Sequence, residues 1–97
     1  MTEREKILEE AKQIICEDRN NQYGEPEDNF ANIAALWSIY LGVELDSYDV
    51  GMLMVLFKTA RMMTGPYKRD SLVDLIGYAA CAAEWRKGNE TYNTRTS

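Results

Sequence analysis

Apolar residues recur along the chain at helical spacing, and the breaks between the runs fall at turn-forming residues. Ile7, Leu8, Ala11, Ile14 and Ile15 are separated by charged side chains, which predicts an amphipathic helix over about residues 3–18. Phe30, Ile33, Ala34, Trp37 and Leu41 define one face of a second helix. Pro26 suits its first turn and Gly42 closes it. Glu25, Glu27 and Asp28 fall near its start, where the helix dipole favours negative charge. The third run, "DVGMLMVLFKTARMM", is apolar on almost every side. Asp46 or Ser47 can cap it, and "TGP" at 64–66 stops it. A helix without a polar face is wrapped by others or lies in an oligomer interface, so a homo-oligomer is expected. The fourth helix starts at Asp70 or Ser71, with Ser71 and Asp74 resembling a capping box. It continues through "SLVDLIGYAACAAEWRK" and ends at Gly88.

No strand-like alternation competes with these runs. The expected fold is all-α, one four-helix domain over residues 1–88 followed by a polar, flexible tail over 89–97. Gly51 and Gly77 would allow close helix approach.

Composition narrows the function. A net charge of −5 argues against a nucleic acid polymer as partner, because backbone binding needs a basic surface. A small phosphorylated ligand stays open, since a few cations can be gathered in one pocket. The charged start "MTEREKILEE" lacks the apolar core of a signal peptide, and no apolar run reaches the ~20 residues that span a bilayer. A cytoplasmic protein without a membrane partner is expected. Cys16 and Cys81 read as reduced, buried thiols. The chain contains no histidine, which removes the commonest general base and zinc ligand together. Any catalysis rests on carboxylates, with a hard metal such as magnesium or with none.

Lys58 and Arg61 interrupt the apolar third helix three residues apart, so they share a side. Asp70, Asp74 and Tyr78 are spaced by fours on the fourth helix and line one face. If the two helices are antiparallel neighbours, two cations face two carboxylates. One reading is a structural ion-pair cluster with Asp70 doubling as an N-cap. The other is a grip on phosphate by Lys58 and Arg61, with the aspartates positioning a metal or a base edge. Both can hold at once. The connection "CEDRNNQYGEPEDNF" adds Arg19, Asn20, Asn21 and Tyr23, which read either as a solvated turn or as groups that clamp and stack on a nucleotide.

Taken in order, "RNNQYGEPEDNF", "LW", "DVGMLMVLFKTAR" and "DSLVDLIGYAA" resemble a group of small phage and prophage proteins. More distantly they are similar to the MazG-like, all-α nucleoside triphosphate pyrophosphohydrolases. The resemblance covers about residues 15–85. It implies a four-helix core, homo-oligomers, and magnesium held by two acidic pairs. The later pair corresponds to Asp70 and Asp74, and the earlier pair has no clean counterpart. Binding is therefore favoured over hydrolysis. The expected function is capture of a nucleotide-like phosphorylated molecule, sequestering a host immune nucleotide signal in an anti-defence role. The alternatives are a magnesium-dependent pyrophosphohydrolase and a helical protein-interaction module. The ligand-binding set is Arg19, Asn20, Asn21, Tyr23, Lys58, Arg61, Asp70, Asp74 and Tyr78, with Asp70 and Asp74 as the metal ligands if there is a metal.

Overall fold

The computed structural model describes residues 1–18 and 26–86. Among these, the chain forms four α-helices and no strand: α1 (Glu3–Gln13), α2 (Pro26–Leu41), α3 (Ser47–Met62) and α4 (Arg69–Trp85). A π-helical turn, Ile14–Asp18, continues α1. The helical span expected over residues 3–18 is present, but its last turn is wider than an α-helix. The expected fourth-helix end at Gly88 and the tail 89–97 lie outside the described residues.

The helix starts are set by side chains. Thr2 caps α1 by accepting from the Glu5 N–H at 3.2 Å, while the Glu5 carboxylate accepts from the Thr2 N–H at 2.7 Å. Those bonds hold the Glu5 carboxyl below the usual carboxylate range. Asp46 and Asp49 form the same reciprocal box at the start of α3, at 2.9 and 3.0 Å. Of the two caps expected there, Asp46 is the one used. Gly42 ends α2 and Gly65 follows α3, both with positive φ, which a glycine adopts without a Cβ clash. Between α2 and α3, the Ser38 hydroxyl donates to the Ala34 carbonyl and accepts from the Leu45 N–H, tying down the connection.

The start of α4 corrects an expectation. The helix begins at Arg69 with Lys68 as a cap that offers no side-chain hydrogen bond. Asp70 is therefore not an N-cap. Ser71 lies inside the first turn, buried, with its N–H donating to the Lys68 carbonyl. No Ser71–Asp74 capping box forms, because Asp74 is engaged elsewhere.

Helix α4 is the centre of the structure and touches α1, the π turn, α2 and α3. Gly51 on α3 meets Ala82, and Lys58 on α3 meets Asp74, so α3 and α4 run antiparallel. On the other side Arg69 contacts α1 near its start and Ile15 meets Gly77, so α1 and α4 run in the same sense. A Cβ on Gly51 would lie 2.8 Å from the Ala82 Cβ, and one on Gly77 would lie 2.9 Å from Ile15 Cγ2. Both glycines permit close approach, as expected. Phe30 of α2 packs edge-on to the buried Trp85 at 5.0 Å and lies 5.8 Å from the Tyr78 ring.

The inward faces match most of the sequence reading, with four exceptions. Leu8 and Leu41 are exposed. Cys16 is exposed rather than buried, and Cys81 is half-buried. Burial, with Glu84 and Cys16 nearby, pushes the Cys81 thiol up to about 11, so it is not a nucleophile at neutral pH.

Arg69 links α4 to α1 through Glu3 at 2.8 Å and Glu10 at 2.5 Å. Its hydrogen bond holds the Glu10 carboxyl below the usual carboxylate range, and the Arg69 guanidinium is raised by Glu10 and then Glu3. A depressed folded pKa gives stability above the unfolded value near 4.5 that is lost as pH falls through the folded value. Glu10→Gln will therefore lower the melting temperature at neutral pH, and its gap from wild type will close as the melts are taken to acid. At the opposite face of α4, Gly51→Leu will overpack the Ala82 contact and cost about 1–3 kcal/mol in urea unfolding.

Candidate functional site

Helix α3 turns one face inward, and at its C-terminal half that face carries Lys58 instead of an aliphatic side chain. The Lys58 ammonium lies 2.9 Å from Asp74 Oδ2, with 13% and 35% of the two side chains exposed. An isolated ammonium this buried would be costly, and the aspartate is what permits it. The antiparallel pairing of α3 and α4 sets the two groups opposite each other. Lys58 also lies 5.9 Å from the Phe57 ring centroid, and Arg61 lies 5.7 Å from the same centroid. Arg61 itself is exposed.

Asp74 faces a small cleft on its other side. The cleft lies between the π turn and α4 and holds about 40 Å³. Its walls are Ala11, Ile14, Ile15, Val73, Gly77 and Tyr78, with Asp74 the one charged group. Gly77 lets the Ile15 side chain reach α4, and the wider π turn brings Ile14 and Ile15 together at the cleft. The space admits one water-sized group and is too small for a nucleoside.

The site residues expected from the sequence thus divide into three sets. Lys58, Asp74 and Tyr78 are brought together. Arg61 and Asp70 are not joined to them in the expected four-charge cluster. Arg61 reaches no carboxylate among the described residues and stacks on Phe57, while Asp70 is exposed one turn before Asp74 and forms no ion pair there. Arg19, Asn20, Asn21 and Tyr23 lie outside the described residues. Two contributors were missed. The Phe57 ring beside both cations was legible in its four-residue spacing from Arg61. The cleft walls Ile14 and Ile15 were read only as core.

The magnesium implied by the resemblance does not fit the described residues. No three His, Cys, Asp or Glu side chains gather among them. The Asp74 carboxylate already neutralises an ammonium, whose charge would repel a second cation at that oxygen.

Comparison with known proteins adds the family. The model described as "Domain of unknown function (DUF6378)" matches residues 6–86. The chain belongs to this family. Among curated proteins it is 49% identical over 77 residues to the "Gene 55 protein" of Mycobacterium phage D29, covering 79% of this chain and 51% of that protein. It is 43% identical over 74 residues to the "Gene 55 protein" of Mycobacterium phage L5, covering 75% and 47%. The chain thus spans about half the length of the curated relatives it matches. No solved structure matches it. The expected phage family is therefore found.

Among the described residues no helix is long and apolar enough to cross a membrane.

Lys58→Met leaves Asp74 partly buried and unpaired, and will cost about 1–2 kcal/mol, less than a fully buried pair because Asp74 keeps some solvent. Lys58→Met with Asp74→Leu will recover most of that loss. Urea unfolding of the wild type, both single variants and the double variant measures the coupling, and additive losses would contradict a direct pair.

Proposed function

We propose that the protein binds a nucleotide-like phosphorylated small molecule at the Lys58–Asp74 end of the α3–α4 pair. The observation that carries this is a largely buried lysine paired with Asp74, which also borders a small, mostly apolar cleft, with an exposed arginine one turn further along the same helix. The 40 Å³ cleft takes at most one water-sized group, and the ligand lies across its mouth toward Lys58 and Arg61. Arg61 supplies the free guanidinium fork for the phosphate. Lys58 stays bonded to Asp74 and offers its remaining donors, while Tyr78 lines the wall. Arg19, Asn20, Asn21 and Tyr23 belong to the proposal on their chemistry. On this reading the fold is MazG-like, a relation that rests on the sequence motifs.

Capture rather than turnover is favoured, because the earlier acidic pair that the resemblance implies has no clean counterpart in this sequence. Relatives from two mycobacteriophages supply the setting. On this reading the protein sequesters a host immune nucleotide signal.

Native mass spectrometry of protein purified from cells will show a co-purifying nucleotide. Calorimetric titration with that nucleotide will then show an Arg61→Met variant weakened by about 1.5–3 kcal/mol. Its melting temperature without ligand will stay close to wild type, because Arg61 is exposed. The proposal is wrong if no nucleotide co-purifies and neither nucleoside triphosphates nor cyclic dinucleotides shift the melting temperature. Release of pyrophosphate from a nucleoside triphosphate in the presence of magnesium would replace capture with hydrolysis.

A further inference from the structure

We propose that the outer face of α2 docks a basic amphipathic helix from another protein. Leu36, Ile39 and Tyr40 recur at the three- and four-residue spacing of one helix face, and all are exposed, Ile39 by 80% and Tyr40 by 89%. Val43, just past the helix end, is exposed too. The domain holds α2 by its other side, where Ala34 is buried and Phe30 packs on Trp85. The outward stripe is therefore left over from the fold. Large apolar side chains gathered on one face, rather than scattered singly, mark a surface that meets something else.

The charge around the stripe selects the occupant. Residues 20–57 contain six of the chain's 16 carboxylates and none of its 11 lysines and arginines, so the rest of the chain holds 11 cations against ten acids. The whole negative balance of the chain, −5, thus comes from the segment that forms α2 and most of α3. Asp28 stands exposed in the first turn of α2, and Glu44 and Asp46 stand exposed beyond its last turn. The stripe therefore has acid at both ends of a helix ~24 Å long. A partner helix with an apolar stripe and flanking lysines or arginines matches apolar to apolar and base to acid. Other occupants fit the same charges badly. A second copy laid on this face, parallel or antiparallel, sets acid against acid at both ends. An anionic lipid surface is repelled by the same carboxylates. The stripe shares no residue with the Lys58–Asp74 site, so docking stands whether or not a nucleotide binds there.

Fluorescence anisotropy of a labelled amphipathic peptide of leucine and lysine, as long as the 16-residue α2, tests this against the full chain. Saturable binding is expected, weakening as salt is raised, and the same peptide with glutamate for lysine will not bind. Ile39→Ser combined with Tyr40→Ser will weaken binding about tenfold or more. Glu44→Lys will weaken it about threefold, while Glu9→Lys, the same charge change at an exposed position of α1, will leave it unchanged. Amide shifts of ¹⁵N-labelled wild type, which need no variant to fold, will move at residues 36–44. Equal binding of the glutamate peptide overturns the proposal, as does equal sensitivity to Glu9→Lys and Glu44→Lys, or shifts centred away from α2. A mass above 11.1 kDa that the Ile39, Tyr40 double variant returns to the monomer gives the face to a second copy instead. Binding of zwitterionic lipid vesicles that the same variant abolishes gives it to a membrane surface, and either result refutes the basic helix.

Discussion

The structure depends on how closely two segments approach α4 from opposite sides. Gly51 removes the side chain that would strike Ala82, and Gly77 removes the one that would strike Ile15. With both side chains absent, α3 and the π turn reach the same stretch of one helix. Every feature of the candidate site follows from that double approach. Lys58 is two turns along α3 from Gly51, and the antiparallel pairing delivers it to Asp74. Gly77 lies one turn from Asp74 and next to Tyr78, so the cleft opens where the π turn seats its isoleucines.

The same economy leaves the interior thin. Close approach is achieved with glycine and alanine, which contribute little apolar volume. The aromatic contacts of Phe30 with Trp85 and Tyr78 compensate at one end of α4, and the Arg69 links to Glu3 and Glu10 bind α1 near the other. The latter are exposed ion pairs that fix register more than they add stability. The large side chains that would make a deep core stand instead on the outer faces of α2 and α3. A helix apolar all round is consistent with burial on one side by its own chain and on the other by a second molecule.

Helix number and type were legible because each run keeps its 3.6-residue period and ends at a glycine or a capping side chain. The Lys58–Asp74 pair was legible too, since charges on apolar helices must find each other. What failed was any inference that needed a side chain's actual partner. Ser71 and Asp74 have capping spacing, but Lys58 claims the aspartate and the helix begins earlier, at Arg69. Arg61 shares a side with Lys58, yet its longer fork finds the Phe57 ring before any carboxylate. The Thr2–Glu5 box was readable in "TERE" by the same spacing rule. The ties from Arg69 to Glu3 and Glu10 span the length of the chain, and no local pattern announces them.

We propose that this protein meets a phosphorylated ligand at the Lys58–Asp74 contact and its cleft. Chemical-shift mapping on ¹⁵N-labelled protein, titrated with the co-purifying nucleotide or a cyclic dinucleotide, tests it residue by residue. Saturable shifts concentrated at Ile14, Ile15, Lys58, Arg61, Asp74 and Tyr78 are expected. Shifts centred on the outer faces of α1 or α2, with those six amides unmoved, would contradict it.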